Sequence, residues 1–166
     1  TAGTGTGSSD VLTNSATNAL IVGGKGADSI TGGTASDWAI AGEATITIAN
    51  NKIIEITVTG TDGGPSETIN VGGGNNVVIG GTGADTITAG TGINTILGDE
   101  GHVTFDSSGN LALAESTNST AGSADTFILG SGTYRVIAGA GNENITLGAG
   151  TNFVIGDAGR IAVNGD

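Results

Sequence analysis

The chain has 166 residues, of which 33 are glycine and five are aromatic, and sixteen acidic residues face four basic ones for a net charge of −12. That length suits one domain, but so little bulk excludes an ordinary globular core and suits a stack of coils, each burying a thin row of side chains against the next. The charge argues against nucleic acid, whose phosphates it would repel. The chain lacks cysteine, and with it disulfides and thiolate chemistry, and no apolar run of eighteen residues reads as membrane-inserted.

Disorder, the bland reading of a glycine-rich chain, conflicts with the strict placing of its apolar residues and a mean hydropathy of +0.15. Thr1 reads as a processed or trimmed start, with no signal peptide. The first elements are short strands carrying Leu12, Ile21, Ile30 and Ala39, nine residues apart. Ala44–Val58 follows, two alternating strands around Asn50-Asn51, which is a hairpin pattern. Nine-residue spacing resumes at Ile69, Val78, Ile87 and Ile96. A second hairpin pattern spans Val103–Leu113 around Ser108-Gly109. The third unit carries Phe127, Val136, Ile145 and Val154, then Arg160–Val163. The whole is a single solenoid domain, residues 1–166, of about three units offset by 57 and 58 residues. By those offsets Asp166 falls inside a hairpin. The chain is therefore either a segment of a longer tandem array or a subunit stacking end to end through unpaired strand edges.

Two residues before each apolar slot lies a second one, and it alternates. Asp10, Asp28, Glu67, Asp85, Asp125 and Glu143 hold its odd places; Ala19, Asp37, Asn76, Asn94, Tyr134 and Asn152 hold the even ones. Two rungs make one coil, so acids eighteen residues apart gather on one flank and call for metal ions. A further acidic set, Glu43, Asp99 and Asp157, follows every fourth rung and falls on that same flank by the nine-residue count.

Gly23–Thr31 (GGKGADSIT) and Gly80–Thr88 (GGTGADTIT) fit G-G-x-G-x-D-x-U-x without exception, and Ala138–Thr146 and Ala89–Leu97 fit in part. Here the chain resembles the RTX, or hemolysin-type, calcium-binding repeat family. The resemblance implies Ca2+ as cofactor, held by carboxylates and by carbonyls of glycine turns. Calcium takes six to eight oxygens at roughly 2.3–2.6 Å, and glycine's tolerance of positive φ lets a turn aim its carbonyls inward. The metal residues expected are Asp10, Asp28, Glu67, Asp85, Asp99, Asp125, Glu143 and Asp157, with Gly24, Gly26, Gly81 and Gly83. The even flank, mostly Asn, Tyr or Ala, departs from the family pattern, so calcium is expected mainly on the odd flank.

Other residues point elsewhere. His102 reads as an exposed strand residue, with no nucleophile or base paired to it, so no enzyme is expected. Trp38 reads as packing within the chain over the small Ala39 slot, with a place in an interface as the alternative. Tyr134 and Arg135 suggest a contact surface. The turn residues Thr82, Thr91, Asn94, Thr151 and Asn152 make only a broken ladder of the kind that binds ice in some members of that family.

The expected fold is all-β, a right-handed parallel β-roll or β-helix of roughly six coils at about 4.8 Å each, around 30 Å long, with inserted hairpins. The expected function is that of a secreted or cell-surface structural element, a calcium-ordered part of a filament, surface layer or adhesin matrix. Its partners would be calcium and itself, as homopolymer or neighbouring repeats, with no nucleic acid and no membrane insertion. The alternatives are an RTX appendage of a larger secreted enzyme, toxin or adhesin, and an ice- or glycan-binding module.

Overall fold

A computed structural model describes residues 7–15, 17–60, 64–120 and 122–163. The expected junction at Asp166 lies outside them. The first unit runs through β1 (Val11–Thr13), β2 (Leu20–Val22), β3 (Ser29–Thr31), β4 (Trp38–Ile40), β5 (Ala44–Ala49) and β6 (Lys52–Val58). The second holds β7 (Thr68–Val71), β8 (Val77–Ile79), β9 (Thr86–Ala89), β10 (Ile93–Leu97), β11 (Gly101–Phe105) and β12 (Leu111–Ser116). The third holds β13 (Thr126–Leu129), β14 (Thr133–Ile137), β15 (Asn144–Leu147), β16 (Asn152–Ile155) and β17 (Arg160–Ala162). Among the described residues there is no helix.

These strands form three sheets. The odd rungs give a parallel sheet in the order β1-β3-β7-β9-β13-β15, and the even rungs a second, β16-β14-β10-β8-β4-β2. The remaining strands make an antiparallel sheet, β17-β12-β11-β6-β5. The β5–β6 turn is Asn50-Asn51, both at positive φ (50° and 60°), the two-residue geometry that keeps flanking strands in twist. The β11–β12 turn is held by Asp106, whose Oδ1 accepts the amides of Ser108 (2.8 Å) and Asn110 (2.9 Å).

Strand alternation divides the apolar residues between two cores. Ile30, Ile69, Ile87 and Phe127 of the odd sheet meet Ile21, Ala39, Val78, Ile96 and Val136 of the even sheet. The flanking residues of the even sheet, Ile40, Val77, Ile79, Leu97 and Ile137, face the other way and pack on Ile56, Val58, Val103 and Ala114 of the antiparallel sheet. The even sheet is thus covered on both faces, which is why Val77-Val78-Ile79 is an unbroken apolar run and wholly buried. Trp38 belongs to this second core, edge-on to Phe105 with ring centroids 6.4 Å apart. It packs within the chain as expected, but away from the Ala39 slot rather than over it.

Candidate metal centre

The register sets Leu12, Ile30, Ile69, Ile87, Phe127 and Ile145 side by side along the odd sheet. The acidic slots, two residues earlier, therefore stack in one column. Within it Asp28, Glu67, Asp85 and Asp125 are buried, none above 5% exposure. One oxygen of each aspartate bonds to the neighbouring coil: the amide of Asp10 donates to Asp28 Oδ1 (2.8 Å), that of Glu67 to Asp85 Oδ1 (2.9 Å) and that of Asp85 to Asp125 Oδ1 (2.8 Å).

The second oxygen is left over. Asp28 Oδ2, Asp85 Oδ2, Asp125 Oδ2 and Glu143 Oε1 are buried without a hydrogen-bond partner. A carboxylate oxygen so placed is costly unless a cation meets it. Each aspartate oxygen lies in room that only glycine leaves. A Cβ on Gly23 would stand 2.4 Å from Asp28 Oδ2, on Gly80 2.5 Å from Asp85 Oδ2, and on Gly98 2.3 Å from Asp125 Oδ2. Facing the same three points are the carbonyls of Ala41, Gly98 and Ala138, so carboxylate and carbonyl oxygens converge three times in one pattern.

The expected turn glycines divide in two. Gly24, Gly26 and Gly81 have φ of 92°, 125° and 107° and serve through that conformation. Gly83 is not in the left-handed region; it is needed for space, since a Cβ there would meet the Pro65 carbonyl oxygen at 2.4 Å.

The second acidic set does not act as one. Asp99 is buried, its Oδ2 accepts the Ala140 amide and its Oδ1 has no partner, so it joins the column. Asp157 is exposed and is not brought to the column. Glu43 is also exposed and pairs with Lys25 at 3.5 Å. Directly before β5, Glu43 holds the place of Glu100 before β11, not that of Asp99. Glu100 was not singled out in the sequence; it is buried and accepts from the Gly60 amide and from Asn118 Nδ2 (3.2 Å). Asp10, on the outermost described coil, contributes its amide but has an exposed side chain.

The column raises its own proton affinities. Burial pushes the Asp125 carboxyl up to about 8, with the charges of Asp85, Asp99 and Glu143 adding to it. Burial pushes Asp99 up to about 6, helped by Glu143, Asp85 and Glu100. Glu67 and Asp85 are both raised, again chiefly by burial.

The opposite flank is different. Asp37 has both oxygens occupied: Oδ1 by the Ala19 amide (2.9 Å) and Asn14 Nδ2 (3.0 Å), Oδ2 by the Gly33 amide (3.1 Å). Tyr134 is not a contact surface but fully buried, its hydroxyl donating toward the Ala89 (3.0 Å) and Gly90 carbonyls. His102 is half-buried rather than exposed: Nε2 lies 2.8 Å from Glu55 Oε1 and Nδ1 3.2 Å from Glu115 Oε1.

All the donors along the acidic column are oxygens, as a hard divalent cation prefers. Among the described residues no three acidic or histidine side chains surround one point, so an ion here draws on backbone carbonyls beside its carboxylates. The profile of the RTX calcium-binding nonapeptide repeat matches four copies, over residues 14–43, 66–105 and 135–160, more than half of the chain. The chain belongs to the RTX calcium-binding repeat family. As an RTX protein it carries calcium-binding repeats, and the unpartnered oxygens of Asp28, Asp85 and Asp125 fit that ion. Neither the search of curated proteins nor that of solved structures gave a match. Among the described residues no helix is long and apolar enough to cross a membrane.

Proposed function

We propose that this chain is a structural element of a secreted or cell-surface assembly: a right-handed RTX β-roll with inserted hairpins, ordered by calcium, contributing to a filament, surface layer or adhesin matrix and stacking on itself or on neighbouring repeats. The observation that carries this is the single column of buried carboxylates, in which Asp28, Asp85, Asp99 and Asp125 each keep one oxygen unpartnered. Such a column repels itself and folds tightly only when cations enter, so ion binding contributes directly to folding free energy. Weak modular sites of this kind suit extracellular calcium levels. On the last described coil Phe153 and the inward-slot Val154 are 56% and 40% exposed, and a further coil of the same design would cover them. The reading includes no catalytic role, nucleic-acid partner or membrane insertion, and Asp10 and Asp157 would ligate only beside a neighbouring coil or molecule.

Electron microscopy of the purified chain tests it. Filaments or ordered arrays are expected in calcium and not in chelator; dispersed particles in both would count against assembly and favour the appendage of a larger secreted protein. Independently, Asp28→Ala with Asp85→Ala should abolish calcium-dependent gain of β structure by circular dichroism. An unchanged calcium response there would remove the metal assignment.

One observation favours a second reading, a binding module for ice or a glycan. The outer face of the odd sheet is not covered by the antiparallel sheet, and its register lines up Thr13, Thr31, Asn70, Thr88, Ile128 and Thr146 in one row, with a second row of Val11, Ser29, Thr68, Thr86, Thr126 and Asn144. The rows carry no charge, in a chain of net charge −12. This ladder lies on strands, not on the turns where the sequence suggested one. Thermal hysteresis in supercooled solution, abolished by Thr88→Lys, would support it; none at high protein concentration would exclude the ice reading.

A further inference from the structure

We propose that the flank opposite the calcium column is closed without metal, by side-chain N–H and O–H donors standing where ions stand on the acidic flank, so that calcium withdrawal loosens one flank and leaves the other folded. This rests on the calcium reading of the acidic column and adds how that column is regulated.

Both flanks use the same first bond between coils. On the amide flank the amides of Ala19, Asp37 and Asn76 donate to Asp37 Oδ1 (2.9 Å), Asn76 Oδ1 (2.8 Å) and Asn94 Oδ1 (3.2 Å), as those of Asp10, Glu67 and Asp85 do on the other side. The flanks part at the second side-chain atom. On the acidic flank it is a bare carboxylate oxygen. On the amide flank it is a donor or is already bonded.

Asn76 Nδ2 donates to the Gly73 carbonyl of its own turn (3.1 Å) and to Asn94 Oδ1 of the next coil (2.8 Å). Asn14 Nδ2 donates to the Thr17 carbonyl of its own turn and to Asp37 Oδ1 of the next coil. Each amide nitrogen therefore joins a turn carbonyl to a side-chain oxygen one coil on, the same two kinds of oxygen that a calcium ion would bridge. At Tyr134 a hydroxyl takes the donor's place, lying against the Ala89 and Gly90 carbonyls. Asp37, the flank's one slot acid, meets three N–H donors, and charged-group hydrogen bonds of this kind are the strong ones. Among its described slot residues two buried side-chain atoms lack a partner, the neutral Asn94 Nδ2 and Asn152 Oδ1, and neither is a charged oxygen.

Packing points the same way. The even sheet has a core on each face and keeps the one shared with the antiparallel sheet, built on Ile40, Ile56, Val58, Ile79, Leu97 and Val103, whatever happens at the acidic turns. The odd sheet has a core on one face alone. Local opening follows the least buried and least satisfied region, and without calcium that region is the acidic flank.

Residue-resolved amide exchange on the full chain, in calcium and in chelator, tests this. Chelator should speed exchange at Asp10, Glu67 and Asp85 by about a hundredfold or more, and at Ala19, Asp37 and Asn76 by less than about tenfold. If both sets lose protection together, the metal-free flank is wrong while the calcium reading stands. If neither set changes, the calcium reading falls as well. A variant supplies the converse. Asn76→Asp removes the bridging N–H donors and adds a charge, so the Asp37 amide should become protected only in calcium; protection equal in calcium and chelator would overturn the proposal.

Discussion

At the scale of single residues, what distinguishes the acidic column is the absence of side chains beside it. Gly80 has no special backbone angle, yet a Cβ there would stand 2.1 Å from the Gly98 carbonyl oxygen and 2.5 Å from Asp85 Oδ2. Gly24 is the reverse case, with φ of 92° and nothing within 4 Å of an added Cβ. Gly80→Ala should therefore cost about 1–3 kcal/mol through a clash that a backbone carbonyl cannot evade, and should also displace a ligand oxygen. Gly24→Ala should cost roughly 1–2 kcal/mol of local strain and leave calcium affinity unchanged. Calcium titrations with thermal melts on the two variants separate these; an affinity loss as large for Gly24→Ala would show that turn shape, not room, sets the site.

At the scale of the strand, position within the three layers decides the effect of a mutation. Ile79 and Ile128 are both isoleucines in rung strands. Ile79 points from the even sheet into the second core and is wholly buried, whereas Ile128 points outward from the odd sheet and is 50% exposed. Ile79→Ala should cost about 2–5 kcal/mol, the usual range for emptying a packed site. Ile128→Ala should stay within about 0.5 kcal/mol. Denaturant unfolding in saturating calcium measures both. A small loss at Ile79 would mean that the antiparallel sheet does not pack on the roll as described.

Across the whole molecule, the raised carboxyls link stability to pH with a sign opposite to the common one. Asp125 and Asp99, raised to about 8 and about 6, hold protons in the fold that the unfolded chain has already lost. The ion-free fold binds more protons between pH 4 and 8, so its stability falls as pH rises, by about 1.4 kcal/mol per pH unit for each such group until its folded value is passed. In chelator the melting temperature should be higher at pH 5 than at pH 8. In saturating calcium the difference should shrink or reverse, because the ligands must be deprotonated to bind. A chelated protein that melts higher at pH 8 would contradict the burial of this column.

The nine-residue period, the eighteen-residue alternation of charge and the turn pair Asn50-Asn51 by themselves determined the rungs, the acidic flank and the first hairpin, because each follows from strand alternation and local turn chemistry. The tertiary structure alone decided which oxygens have partners. Asp85 bonds to Asp125, forty residues on, because the segment between the two rungs leaves the coil stack to pair in the antiparallel sheet, so no fixed spacing predicts the neighbour. Asp99 enters the column because a further coil stacks beyond it, Asp157 on the last described coil stays exposed, and Glu43, which holds the place of Glu100, meets Lys25. Tyr134 and His102 read as surface residues in the sequence, yet their burial depends on what lies against them, turn carbonyls for one and the Glu55 and Glu115 carboxylates of adjacent strands for the other. Sequence period fixes where a side chain points, but only the packing of distant coils and sheets fixes what it meets there.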